Sequence, residues 1–174
     1  MSASGPDAVQ VEFEGPLFRV EVQTWGGRRR DVVRHPGACG AVVLIEGDRV
    51  LLVRQLREAV GRALLEIPAG IYDVEGEAPE DSIQREIAEE TGHLVTELKR
   101  LGSIFTTPGF TDERIHVFWA AELTAGAHAR EPDEFIEVVP KPLSETLALV
   151  RDGAICDGKT VTAILYMAGF RLGL

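Results

Sequence analysis

Three glutamates that lie close together are the residues of this chain best suited to do chemistry. They are Glu86, Glu89 and Glu90, in the segment R-E-I-A-E-E-T-G. At about 100° per residue in an α-helix, side chains three and four positions apart lie on one face. Like charges at this spacing repel, so a cation is expected beside them. Carboxylate oxygens suit hard divalent ions, and the spacing predicts a magnesium site, with a solvated acidic face as the alternative.

The flanking residues predict the helix that carries these glutamates. Pro79 suits the first turn, where its missing N–H is harmless, and Gly92 suits a left-handed cap at the end. A stripe at helical spacing can face a core, and it consists of Ile83, Ile87 and Thr91. We therefore expect a helix with one buried side and one acidic side, in which Arg85 orients the carboxylates.

Together these residues resemble the Nudix box, in which a glycine and a glutamate precede an R-E-x-x-E-E-x-G core at fixed spacing. Seven residues separate Glu77 from Arg85, and the core from Arg85 to Gly92 then matches without a gap. The sequence departs from the box twice. Gly70 stands six residues before Glu77 instead of five, which indicates one extra residue in the loop, and His93 replaces the usual aliphatic residue.

Four further segments resemble the ADP-ribose pyrophosphatase branch of the Nudix superfamily. They are V-R-Q-L-R, A-V-G, L-L-E-I-P-A-G and T-P-G-F-T-D-E, and the similarity covers roughly residues 35–140. Pro108 lies sixteen residues after Gly92, which is typical of that branch. The resemblance implies a Mg²⁺-dependent hydrolase, with Mn²⁺ as a substitute ion, that cleaves ADP-ribose to AMP and ribose 5-phosphate.

The resemblance also implies catalytic roles for individual residues. The implied metal ligands are Glu86, Glu89, Glu90 and the backbone carbonyl of Ala69. Glu77 is expected to support the structure by pairing with Arg85. The general base is expected in the acidic loop Gly126–Phe135, where Glu134 is favoured and Glu131 is the alternative. A base on a loop can close over the reacting centre and exclude water.

Four residues are candidates for substrate binding. Arg54 and Arg57 lie near the end of a predicted strand that leads towards the box, and guanidinium groups bind phosphate bidentately. By resemblance, Arg57 is the better phosphate ligand. Trp25 is expected to stack on adenine across a dimer interface, with a core or interface aromatic as the alternative. Glu113 is a weaker candidate for contact on the ribose side.

Two alternative functions stay open at this point. One is the same chemistry on another nucleoside diphosphate derivative, such as a nucleotide sugar, a dinucleotide or flavin adenine dinucleotide. The other is a sensor that binds ADP-ribose without cutting it. Such sensors commonly lose a box glutamate or carry an added DNA-binding domain, whereas this chain retains every box glutamate.

Composition and charge exclude several other classes of protein. The 174 residues suffice for one sizeable core, and a net charge of −10 argues against binding nucleic acid or an anionic membrane. No apolar run approaches the length of a membrane span. The two cysteines, Cys39 and Cys156, have neither metal-site nor disulfide spacing, which favours a reducing, cytoplasmic setting.

The elements that would position the site alternate between strands and helices, which predicts a mixed sheet with helices packed on it. Strands are predicted at Phe18–Trp25, Arg29–His35, Ala38–Ile45, Arg49–Gln55, Leu64–Ile67, Glu97–Thr106, Ile115–Leu123 and Ile136–Val139, and two closing helices at Leu143–Arg151 and Lys159–Leu172. Residues 1–10 are expected to be a loose tail. The resemblance implies a Nudix α/β/α sandwich over residues 37–174, preceded by a small antiparallel sheet within residues 1–36 that forms a homodimer.

Overall fold

The computed structural model describes residues 5–125 and 136–173. The predicted acidic loop and its two candidate bases, Glu131 and Glu134, lie outside these described residues. The described chain forms two β-sheets, and helices pack against the larger one.

The smaller sheet contains the first three strands of the chain. They are β1 (Ala8–Glu14), β2 (Arg19–Trp25) and β3 (Arg28–Arg34), and they pair antiparallel in the order β1-β2-β3. The separate small antiparallel sheet is therefore confirmed. The expected loose tail is wrong for residues 8–10, because the alternating segment V-Q-V-E-F extends the sheet by one strand.

The larger sheet has seven strands and mixed pairing. Its strands are β4 (Ala38–Ile45), β5 (Arg49–Arg57), β6 (Arg62–Glu66), β7 (Ala69–Ile71), β8 (His93–Phe105), β9 (Arg114–Ala125) and β10 (Glu137–Pro142). The order is β10-β5-β4-β9-β8, with β6 paired to β5 and β7 paired to β4. Only the β4–β9 pair is parallel among the described pairings, which confirms the predicted mixed sheet. The sequence did not predict β7, since three residues are too few to show alternation.

Helices cover both faces of this sheet. They are α1 (Pro79–Thr91), α2 (Leu143–Arg151) and α3 (Gly158–Tyr166), and a π-helical segment, Met167–Leu172, continues α3. Ile83 and Ile87 of α1 pack with Phe118 on one face, while Ile164 of α3 packs with Val42 on the other. The predicted α/β/α sandwich is confirmed. None of the described helices combines the length and apolarity needed to span a membrane.

The ends and the buried side of α1 agree with the sequence prediction. Pro79 is its first residue, and Gly92 ends it in the left-handed region, with φ 71° and its N–H donating to the Ala88 carbonyl at 2.9 Å. The stripe of Ile83, Ile87 and Thr91 is buried. Burial of that stripe turns the glutamates of α1 towards β7 and a cavity beside it.

Candidate active site

A cavity of about 810 Å³ lies between α1, β7 and the beginning of α3. This volume falls within the range of small-molecule sites. One wall carries the acidic residues of α1 together with the backbone of β7; these lining residues are Arg85, Glu86, Glu89, Glu90, Ala69 and Gly70. The structure therefore brings all four predicted metal ligands to one wall.

Arg85 organises the acidic wall by contacting four carboxylates. Its Nη1 lies 2.9 Å from Glu86 Oε1 and 3.1 Å from Glu89 Oε2. Its Nη2 lies 2.8 Å from Asp73 Oδ1 and 3.2 Å from Glu77 Oε2, so the predicted Glu77–Arg85 pair is confirmed. These contacts, foremost the hydrogen bonds to Glu77, raise the pKa of the Arg85 guanidinium. Asp73, in the loop before α1, was not predicted, because nothing in the sequence separates it from other loop acids.

Glu86 lies directly against the backbone of Gly70. A Cβ atom added to Gly70 would be 2.0 Å from Glu86 Cδ, so only glycine leaves room for the carboxylate in this position. Burial raises the pKa of Glu86 to about 7, and the repulsion of Glu89 and Asp73 adds to this, while Arg85 opposes it. The charge of Glu86 is therefore only partly compensated by Arg85, and a further cation beside it would favour the ionised form.

Glu90 and Ala69 complete the acidic wall. The Ala69 N–H donates to Glu90 Oε2 at 3.3 Å, and Glu90 is only 4% exposed. Over the described residues, no three acidic, histidine or cysteine side chains converge on one point as ligands of a single ion. Arg85 instead lies between the carboxylates of Glu86 and Glu89. The donors are nevertheless all hard oxygen atoms on one cavity wall, which fits Mg²⁺ or Mn²⁺.

The cavity is also lined by Arg57, Asp157 and Lys159, which form with the buried Glu66 an ionic cluster that we call the Glu66 network. Glu66 is 1% exposed and accepts two hydrogen bonds from Arg57, at 2.8 Å from Nε and 2.7 Å from Nη2. Lys159 Nζ donates to Glu66 and, at 3.0 Å, to Asp157. Burial acts to raise the pKa of Glu66, but the Arg57 hydrogen bonds and the Lys159 charge outweigh it and lower that pKa.

The sequence prediction included Arg57 but missed the other three residues of the Glu66 network. Two signals were present in the sequence. Glu66 is a charged residue inside the apolar run L-L-E-I, and Asp157 begins the capping pattern D-G-K-T. In the structure Asp157 is the cap of α3, since its Oδ2 accepts the Thr160 N–H at 3.0 Å.

Two predicted substrate-binding residues lie outside this cavity. Arg54 is an odd number of residues from Arg57 on β5, so it points to the other face of the sheet, where its Nε lies 3.0 Å from Glu137 Oε2. Trp25 lines a second cavity of about 300 Å³. Its indole Nε1 donates to Gln23 Oε1 at 2.8 Å. Within one chain, therefore, neither Arg54 nor Trp25 lies at the acidic wall.

Glu113 does line the main cavity, and the N-terminal sheet fixes the loop that carries it. The Val33 N–H donates to the Phe110 carbonyl at 2.7 Å, and Arg34 Nη1 lies 2.9 Å from Asp112 Oδ2. Glu113 Oε2 then accepts a hydrogen bond of 2.7 Å from Thr106. The small sheet thus holds one edge of the cavity in place.

The chain is similar to known proteins over most of its length. The family model described as "NUDIX domain" matches residues 34–159. An ADP-ribose pyrophosphatase of Bacillus subtilis (strain 168) is 38% identical over 150 residues, 85% of this chain and 80% of that protein. A methanol dehydrogenase activator of Bacillus methanolicus is 35% identical over 150 residues, again 85% and 80% of the two chains.

Two further similarities concern specificity and fold. A GDP-mannose pyrophosphatase of Citrobacter koseri is 36% identical over 154 residues, 79% of this chain and 80% of that protein. A crystal structure of an ADP compounds hydrolase superposes with a TM-score of 0.82 over 99% of this chain and 97% of the other. Its sequence identity is 22%, so this match establishes the fold alone.

Because Glu86 lies against Gly70, a side chain at position 70 should weaken ion binding. Gly70→Ala should displace the Glu86 carboxylate and lower the affinity for Mn²⁺ by about 10- to 100-fold, the usual effect of disturbing the support of a metal ligand. The fold should survive, because the displaced atoms are the flexible end of a side chain. Calorimetric titration with Mn²⁺ measures the affinity.

Gly102→Ala is the matched control, because a Cβ there meets no atom within 4 Å. Wild-type Mn²⁺ affinity in Gly70→Ala would contradict a role for Glu86 as a ligand in the described position.

Proposed function

The chain belongs to the NUDIX family, and we propose that it is a metal-dependent hydrolase that splits ADP-ribose into AMP and ribose 5-phosphate. The observation that carries this proposal is the cavity in which Glu86, Glu89, Glu90 and Ala69 share one wall. The similarity to an ADP-ribose pyrophosphatase supports the substrate. The net charge of −10 supports a small molecule as the ligand rather than nucleic acid.

The acidic wall supplies the ligands that a diphosphate hydrolase needs. Glu86 and Glu90 would hold the ion, with Glu89 and the Ala69 carbonyl contributing oxygens. A bound Mg²⁺ or Mn²⁺ supplies charge neutralisation for the diphosphate and lowers the pKa of a bound water. Arg85 keeps the glutamates oriented through its contacts to Glu86 and Glu89. Since Arg85 is engaged in this way, it acts as an orienting residue and not as a phosphate ligand.

Arg57, which lines the same cavity, is the proposed phosphate ligand. Its described hydrogen bonds run from Nε and Nη2 to the carboxylate of Glu66. These bonds fix the guanidinium beside the cavity, and because it has five N–H donors it can bind a phosphoryl oxygen as well. Glu113 is proposed to contact the ribose side from its own edge of the cavity.

A carboxylate of the acidic loop is proposed as the general base that removes a proton from the attacking water. Glu134 is the first candidate and Glu131 the second, both on the basis of sequence. Such a base must reach the water within hydrogen-bond distance in the substrate complex, and a loop can provide this by closing.

Incubation with ADP-ribose, with and without Mg²⁺, tests the function directly. AMP and ribose 5-phosphate should appear only with metal, as resolved by mass spectrometry. Glu90→Gln should lower kcat by at least about a hundredfold, because ion-mediated stabilisation is worth several kcal/mol. Glu80→Gln is the control, since Glu80 is exposed in the first turn of the same helix. Tight ADP-ribose binding without products would favour a sensor instead.

Single substitutions distinguish the two candidate bases. Glu134→Gln should lower kcat by about 10²- to 10⁴-fold, the range of general base catalysis, while Glu131→Gln should have a much smaller effect. The kcat values at saturating ADP-ribose and Mg²⁺ provide the readout. The reverse ranking would move the role to Glu131, and two unaffected variants would place the base elsewhere.

Hydrolysis of another nucleotide sugar is a second candidate function. The observation that favours it is the similarity to a GDP-mannose pyrophosphatase, which is nearly as strong in identity as that to the ADP-ribose enzyme. A direct comparison of kcat/KM for ADP-ribose and GDP-mannose separates the two, because both substrates share the diphosphate and differ in base and sugar.

A homodimer formed through the N-terminal sheet is also proposed. Strand β1 is an edge strand, and Val9, Val11 and Phe13 on it are 51%, 49% and 52% exposed. An apolar edge strand of this kind is a pairing surface for another chain. In such a dimer Trp25 could reach the adenine of a substrate bound to the partner. The unpaired cysteines, Cys39 and Cys156, support a reducing, cytoplasmic location.

Sedimentation analysis tests the dimer. The expected species has twice the chain mass of 19.0 kDa, and Val11→Asp should shift it to the monomer by burying a charge at the interface. Gln10→Asp, on the adjacent exposed position of β1, is the control. A wild-type chain that sediments as a monomer at all micromolar concentrations would contradict the proposal.

A further inference from the structure

His35 is a buried histidine to which the proposed function gives no role. It lies in the short link, residues 35–37, that joins β3 to β4, and its side chain is 12% exposed. Its Nε2 lies 3.8 Å from Oε1 of Glu113, a carboxylate that lines the main cavity. That distance is about 1 Å longer than a normal hydrogen bond, and such contacts often tighten when a substrate binds. A small shift of either side chain would therefore join His35 to the edge of the cavity.

A hydrogen bond on the far side of the His35 ring determines which nitrogen carries the proton. The Gly37 N–H donates to Nδ1 at 3.1 Å, so Nδ1 is an acceptor, and in the neutral imidazole the proton is on Nε2. Nε2 is the nitrogen on the side of Glu113. A neutral His35 can therefore donate a hydrogen bond to this carboxylate without first binding a proton.

The backbone of His35 is held in a defined position. Its N–H donates to Asp112 Oδ1 at 2.9 Å, and the other oxygen of that carboxylate lies 2.9 Å from Nη1 of Arg34. Arg34 in turn contacts Glu21 at 2.9 Å, and Glu21 is only 3% exposed. Pro36 restricts the residue before it to extended conformations. The chain thus has little freedom to turn the imidazole away from Glu113.

The Glu113 carboxylate is approached on both of its oxygen atoms. Oε2 accepts a hydrogen bond of 2.7 Å from the Thr106 hydroxyl, while Oε1 faces His35. A glutamate side chain loses rotamer freedom when it is ordered, and a ligand that has to order it binds less tightly. Contacts that hold Glu113 before a ligand arrives remove part of this cost.

We propose that His35 is a positioning residue that holds the Glu113 carboxylate at the cavity edge, where it accepts hydrogen bonds from the hydroxyl groups of the substrate's sugar. An ionised carboxylate offers only acceptors, which suits hydroxyl donors. The sugar as ligand rests on the proposed function, whereas the coupling between His35 and Glu113 does not. Asp112 supports the arrangement, since it holds the backbone of His35 and the end of β3 together.

Calorimetric binding of ADP-ribose in EDTA tests His35 without any turnover. The side chain of His35→Asn reaches only as far as Nδ1, so the affinity should fall by about tenfold, the effect of losing a hydrogen bond to a charged group. His35→Gln is the matched variant, because its longer side chain places an amide N–H near the position of Nε2, and it should recover most of the affinity. Unchanged affinity in His35→Asn, or an equal loss in both variants, would overturn the inference.

A double-mutant cycle tests whether His35 acts through Glu113. In a Glu113→Gln background, His35→Asn should weaken ADP-ribose binding by less than about twofold, because the two residues act as one unit. Effects that multiply would mean that His35 acts independently of Glu113 and would overturn the inference. In turnover assays, His35→Asn should raise KM more than it lowers kcat, as expected for a residue that supports substrate binding.

If His35→Asn does not fold, the imidazole of the wild-type protein provides the test. The nitrogen-15 resonance of His35 Nε2 should move when Glu113 is replaced by Gln and again when ADP-ribose binds, because both events change the acceptor that it faces. His93, at the opposite end of the β8–β9 pair, is the internal reference. A His35 resonance that stays in place in Glu113→Gln would overturn the inference.

The binding and turnover readouts separate this inference from the proposed function. Wild-type protein that binds ADP-ribose with the expected coupling between His35 and Glu113 but forms no AMP would refute hydrolysis and retain the positioning role. Protein that forms AMP with the same KM in wild type and His35→Asn would retain hydrolysis and refute the positioning role.

Discussion

One guanidinium among four carboxylates is the interaction on which the acidic helix depends. The glutamates of α1 repel one another, and Arg85 offsets this by lying between Glu86 and Glu89 while it also reaches two acids in the preceding segment. The same contacts restrict where the carboxylates can point. Gly70 adds a second restriction, since its missing side chain lets Glu86 approach the β7 backbone. The glutamates would repel one another and weaken an isolated helix. In this structure Arg85 and Gly70 allow them to form an ordered acidic wall of the cavity.

The cavity is lined by both acidic and basic side chains, although the chain as a whole is strongly acidic. A protein with a net charge of −10 should repel a diphosphate, yet Arg57 and Lys159 are among the described residues that line the cavity. The acidic wall attracts ions that carry the opposite charge, and these can contact the same diphosphate. Glu66 is central to this arrangement because it holds two cations in place while its own charge stays buried. Ions held by the acidic wall and the guanidinium of Arg57 would therefore contact the same diphosphate.

Hydrophobic periodicity and helix-end residues in the sequence predicted the helices and strands that form from local segments. The spacing of Ile83 and Ile87, with Gly92 at the end, was sufficient for α1, and the long apolar strands followed from their composition. Contacts between distant segments were not predictable in this way. Lys159 lies 93 positions from Glu66, and no local rule joins them. The sequence also did not show why position 70 is a glycine, because the reason is the close approach of the Glu86 side chain from α1.

A crystal structure with Mn²⁺ and a non-hydrolysable ADP-ribose analogue would show where the ions and the diphosphate bind relative to α1. We expect anomalous scattering peaks beside the carboxylates of Glu86 and Glu90, with the diphosphate between these ions and the guanidinium of Arg57. Ions bound elsewhere, with no ion beside Glu86 or Glu90 and the diphosphate outside the cavity, would contradict a metal-binding role for the acidic helix.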